Sequence, residues 1–111
     1  MLTFANGLLL KNDLGQLAFL RAFILVAIPL DANDNRRHVH VFKKGKRHLR
    51  SAAKIWIESN GEQCVEIAQS TLSASENKLI VDAINKHWTF INEQISKTFR
   101  GEKTEPKNID K

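Results

Sequence analysis

His38 and His40 stand two residues apart in the stretch RRHVHVFKKGKRHLR, residues 36–50, which holds seven Lys or Arg and no acidic residue. Several kinds of chemistry use such a pattern. Lysine and arginine neutralise phosphates and release counterions, so Arg36, Arg37, Lys43, Lys44, Lys46, Arg47 and Arg50 are candidate contacts to RNA or another polyanion. Trp56 and Phe42 offer rings on which unpaired bases can stack. Imidazole titrates near neutrality, so His38 and His40 could serve as base and acid on RNA while a neighbouring cation stabilises the developing charge. Histidines two apart on a strand also point the same way and could chelate one ion, with His48 or Glu66 as a distant third ligand. The flanking cations and the lack of any C-x-x-C motif weigh against that use, and the expectation is no metal and no cofactor. The remaining option is a protein-interaction module in which the basic segment docks a small acidic partner and Trp56 or Phe42 anchors the contact.

Charge placement sharpens this reading. The 111 residues carry a net charge of +5, yet residues 36–50 alone carry +7, and the rest of the chain has ten basic and twelve acidic residues. A local cationic field of this kind attracts polyanions and weakens with salt. With 42% hydrophobic and 26% charged residues the composition is that of a globular protein with one core. The apolar run AFILVAIPL, residues 22–30, falls short of the roughly 20 residues that span a bilayer. No basic segment precedes it and no small-residue cleavage pattern follows, so no signal peptide is read here. The one cysteine, Cys64, has no partner for an internal bridge. These features lead to the expectation of a cytoplasmic protein that makes no use of a membrane.

The elements that must position these residues follow from periodicity. Asn6-Gly7 and KNDLGQ at 11–16 permit either a short hairpin or a short helix from Asp13. Residues 17–28 are apolar apart from Arg21 and suggest one central strand, ended by Pro29 and the breakers DANDN. HVHVF at 38–42 alternates, with Val39 and Val41 on one face and His38, His40 and Phe42 on the other. AAKIWIE at 52–58 alternates likewise, with Lys54, Trp56 and Glu58 opposite Ala53, Ile55 and Ile57. SNGE at 59–62 is a hairpin signal, and QCVEIAQ returns with Val65 and Ile67 facing inward. Ser73 and Glu76 form an S-x-x-E capping box. Ile80, Ala83, Ile84, His87, Trp88, Ile91, Ile95 and Phe99 then line one face of a long helix. On that face His87 reads as a satisfied, half-buried side chain. The expectation is a single α+β domain over residues 1–100, an antiparallel sheet of about four strands packed by one long C-terminal helix, followed by a flexible polar tail at 101–111.

The stretch NDNRRHVH, with an apolar strand before it and two strands and a helix after it, resembles a family of small bacterial proteins known as domain of unknown function 4160. Its members typically read D-H-x-P-P-H-x-H there. His38 and His40 match the paired histidines, Arg36 and Arg37 stand in place of the prolines, and Asn33-Asp34 stands in place of Asp-His. The resemblance covers roughly residues 20–100. It implies a small accessory protein, encoded in some members beside a partner in a toxin–antitoxin-like arrangement, and it carries no catalytic residue over to this chain. The leading expectation is thus a binder of RNA or another polyanion; an acidic protein partner and a His-dependent ribonuclease are the alternatives, and the oligomeric state is open.

Overall fold

The structure, a computed structural model, describes residues 15–33, 36–46 and 50–110. The N-terminal hairpin or helix, Arg47 and His48 lie outside the described residues. In chain order the elements are β1 (Gln16–Leu20), β2 (Phe23–Val26), a 3-10 turn (Pro29–Asn33), β3 (His38–Lys43), β4 (Ala53–Ser59), β5 (Glu62–Ser70), α1 (Ala74–Lys86), α2 (Trp88–Phe99) and β6 (Lys107–Asn108). They form an α+β domain whose mixed sheet runs β5-β4-β3-β2-β1-β6. Neighbouring strands are antiparallel except β1 and β6, which are parallel.

Alternation builds the core as the pattern predicts. Val39 and Val41 from β3 and Ala53, Ile55 and Ile57 from β4 meet Ile80, Ala83 and Ile84 of α1 and Ile91 and Ile95 of α2 in one buried cluster. Each fully buried Leu or Ile contributes roughly 1.5–3 kcal/mol. The capping box forms: the Glu76 amide donates to Ser73 Oγ at 3.2 Å, and the Ser73 amide donates to Glu76 Oε1 at 3.0 Å. The β4–β5 hairpin turns through Asn60 and Gly61, both with positive φ (54° and 84°), as a tight Asn-Gly turn requires.

Four features depart from the expected four strands and one helix. The apolar run 17–28 is not one strand. Arg21, with φ of 52°, turns it into the β1–β2 hairpin, and the cation at the turn stays exposed while apolar residues on both sides pack. The long helix breaks at His87, whose φ of −110° and ψ of 27° leave the helical region. Beyond the break, Trp88 packs against the core and its Nε1–H donates to the Ile57 carbonyl at 2.6 Å, while half-buried His87 sits at the junction. Ile67 was expected inward but is 41% exposed, because β5 is an edge strand whose pairing with β4 shifts register twice. Finally, the segment read as a polar tail supplies β6. Ile109 enters the core at 2% exposure, and the Glu105 amide donates to buried Gln94 Oε1 at 2.8 Å.

Gly15 marks the entry to β1. Its φ is +82°, its carbonyl accepts from the Ala27 amide at 2.7 Å, and a Cβ there would meet the Ala27 oxygen at 2.1 Å. Only glycine fits.

The Ile109 contact makes β6 part of the cooperative fold. Ile109→Ala should lower unfolding free energy by about 2–5 kcal/mol in urea denaturation. A change within about 0.5 kcal/mol, as for an exposed surface position, contradicts that assignment.

Candidate functional site

On β3 the residues that alternate with Val39 and Val41 face away from the helices, and there the two histidines meet a third group. The 3-10 turn at Pro29–Asn33 brings Asp31 back over the start of β3. Asp31 Oδ2 lies 2.9 Å from His38 Nε2 and 3.0 Å from His40 Nε2. One carboxylate oxygen thus serves both imidazoles. The two rings meet edge-on at 5.0 Å, and Trp56, opposite His38 on β4, closes the far side of His38 edge-on at 5.4 Å. The His38 side chain is 2% exposed, against 17% for His40 and 24% for Asp31.

The second ring nitrogen of His38 faces the Arg36 carbonyl at 3.2 Å. A carbonyl only accepts, so Nδ1 donates. His38 therefore stands between two acceptors, a carbonyl at one nitrogen and a carboxylate at the other. Burial would raise the Asp31 carboxyl, but the hydrogen bonds from His40 and His38 and the charge of the two rings outweigh it and hold the carboxyl below its usual range. His40 moves the other way. Burial lowers it, the hydrogen bond and charge of Asp31 offset part of that, and the charges of His38 and Lys54 push it further down, leaving His40 below the ordinary imidazole value.

The basic segment divides into groups with different employment. Arg36 donates from Nη2 to Glu66 Oε1 at 2.6 Å and from Nε to the Glu58 carbonyl, and its guanidinium lies over the Trp56 ring. Arg37 turns toward the helical layer, donates from Nη1 to the Asn92 side chain at 2.7 Å and backbone carbonyl at 3.1 Å, and covers Phe99. Both arginines are committed to partners within the chain. Lys44 lies over Phe19, at the β1–β2 side of the sheet. Trp56 carries Lys54 at 4.6 Å as well as Arg36 on its ring, so a stacking base would have to displace a cation. Phe42 is buried.

Lys43, Lys46 and Arg50 are placed differently. They line a cleft of about 1000 Å³ at the end of the sheet where β3 leaves, β4 enters and β5 leaves. Ile28, His40 and Phe42 form part of its wall, with Gln69, Ser70 and Thr71 on the β5 side, and none of the described lining residues is acidic. Glu76, outside the described lining, feels the charge of Lys43. His40 belongs both to the Asp31 cluster and to this cleft.

The sequence reading found His38, His40 and the cations but not Asp31, whose only advance signal was an acid in a breaker-rich loop before the H-x-H strand. Chemically, the cluster offers a neutral imidazole oriented by a carboxylate, a general-base geometry. It also offers two nitrogens and an oxygen within ligand spacing of one another. Glu66, paired with Arg36, is not part of this cluster, and His48 lies outside the described residues.

A protein-family model described as Domain of unknown function (DUF4160) matches residues 24–94. That span, well over half of the chain, holds Asp31, His38, His40 and every described residue of the cleft lining, and leaves out β1 and β6. No curated protein and no solved structure gives a significant match.

Because folding lowers the proton affinity of His40, the folded state binds fewer protons than the unfolded chain near the ordinary value of 6.5. Its contribution to stability is present above that value and is lost as pH falls through and below it. Urea midpoints should therefore drop between pH 7.5 and 5 by more in the natural protein than in His40→Gln. An identical drop in the two proteins contradicts the lowered value.

Proposed function

This chain belongs to the DUF4160 family, and we propose that it is a polyanion-binding domain whose leading ligand is single-stranded RNA. The observation that carries this reading is the cleft in which Lys43, Lys46 and Arg50 converge with no carboxylate among the described lining residues. Cations gathered at a concave surface gain by meeting phosphates, since each contact releases condensed counterions. Arg36 and Arg37 play a supporting part, bracing the start of β3 through Glu66 and Asn92. Arg47, next in sequence to Lys46, extends the same run. Trp56 would join only after Lys54 moves aside. A small cytoplasmic accessory protein, in the toxin–antitoxin-like setting that the family resemblance implies, is part of the same proposal. It is supported by the unpaired Cys64 and by the fact that no described helix is long and apolar enough to cross a membrane.

A hydrolytic reading is favoured by one observation: His40, hydrogen-bonded to Asp31, also faces the cleft. It requires that His40→Ala abolish RNA cleavage while leaving binding largely intact, and cleavage that survives this change excludes it.

Binding of single-stranded RNA across a salt series tests the main reading. The logarithm of affinity should fall linearly with the logarithm of salt, and changing Lys43, Lys46 and Arg50 together to Ala should make the slope shallower by about 2, at about 0.7 per lost phosphate contact. Arg36→Ala should leave the slope unchanged. Equal slopes for the natural and triple-Ala proteins contradict the proposal and point to an acidic protein partner instead.

A further inference from the structure

Asp31 and the two histidines come from different elements, the 3-10 turn and β3, yet one ligand atom from each lies within 4.8 Å of the others. We propose that Asp31, His38 and His40 bind a single divalent first-row transition-metal ion, of the zinc(II) or iron(II) class, with at least one coordination position open toward the cationic cleft.

The donor set comes first. Two imidazoles and one carboxylate suit borderline ions, whereas magnesium and calcium favour oxygen donors alone. Spacing agrees with it. Metal–ligand bonds of about 2.0–2.1 Å put neighbouring donors roughly 3.0–3.4 Å apart, and the Asp31 oxygen lies 2.9 and 3.0 Å from the two Nε2 atoms. All three donors lie within 4.8 Å of one another, so the carboxylate oxygen shifts outward and the two imidazoles close toward each other to admit the ion.

The outer hydrogen bond is the independent sign. His38 donates from Nδ1 to the Arg36 carbonyl, which fixes the ring and leaves Nε2 to face Asp31. An ion there would let the Nε2 lone pair and the carboxylate share one cation, and the Nδ1–H bond is the outer partner that ligating histidines almost always possess.

Surroundings shape the open position. Trp56 and the neighbouring ring shut in His38, while partly exposed His40 and Asp31 leave the other side accessible, and His40 leads into the cleft. The repulsion expected from Arg36 and Arg37 is largely removed by placement, since Glu66 neutralises the first and the second turns toward Asn92. Lys54 is the cation that acts on His40. Its field favours water or an anion as the remaining ligand. The inference stands apart from the RNA reading, because it concerns the metal alone.

The test uses the full chain stripped with a chelator, titrated with zinc(II) in competition with a chromophoric chelator and with cobalt(II) followed by visible absorption. One ion per chain should bind, magnesium should not compete, and cobalt(II) should quench Trp56 emission where closed-shell zinc(II) does not. Asp31→Asn and His40→Gln, both at partly exposed positions, should each weaken zinc binding by about 100-fold or more, while Cys64→Ser and His87→Gln leave it unchanged. Folding of each variant is checked by circular dichroism, and if Asp31→Asn does not fold, His40→Gln decides. No bound ion, or an ion whose affinity survives His40→Gln or falls with Cys64→Ser, overturns the assignment, whatever the outcome of the salt series.

Discussion

His38 is held between two hydrogen-bond acceptors, the Asp31 carboxylate and the Arg36 carbonyl, at a site where its side chain is 2% exposed. A buried ring with an acceptor at each nitrogen has few arrangements open to it. The rest of the sheet face follows from satisfying it. Asp31 must return over β3, which the 3-10 turn accomplishes. Arg36 must present its carbonyl to the ring, and its side chain is anchored by Glu66 and the Glu58 carbonyl on the strands beyond. Trp56 then closes the side of His38 that water would otherwise reach.

The same logic explains why seven cations in fifteen residues do not form one uniform surface. Arg36 and Arg37, just ahead of β3, part immediately, one toward β5 and one toward α2. Both find acceptors there and become structural. Where β3 runs out the chain releases Lys43, Lys46 and Arg50 into a concavity whose described lining holds no acid. Exposed ion pairs contribute little to stability, so the bracing value of Arg36 lies in fixing geometry next to His38. The charge of Lys43, Lys46 and Arg50 has its consequence at the cleft, as potential available to a ligand.

Much of this was legible in the residues themselves. Alternation in HVHVF and AKIWIE assigned the core face correctly, Asn60-Gly61 set the hairpin, and Ser73 with Glu76 set the start of the first helix. These signals are local, each carried by a few adjacent residues. What escaped the reading depends on contacts distant in sequence. Arg21 turns the chain without the glycine or proline that usually announces a turn. His87 breaks a periodicity that continues on both sides, so the apolar pattern cannot reveal the break. Ile109 is a lone apolar residue in a polar segment, and its burial requires β1 to be waiting beside it. Asp31 was hidden for a related reason: one acid in a breaker-rich loop has no direction until the loop's path is known. The histidine pair was visible, but the group that gives it chemistry was not.

The central claim is that a proton occupies Nδ1 of His38 because the Arg36 carbonyl demands one. Long-range proton–nitrogen NMR of the imidazole rings, in chelator-treated protein and again after zinc(II) is added, measures this directly. The account requires a protonated Nδ1 on His38 in both samples, with the larger zinc(II)-induced change at Nε2. A neutral ring carrying its proton on Nε2, with a bare Nδ1, would contradict it.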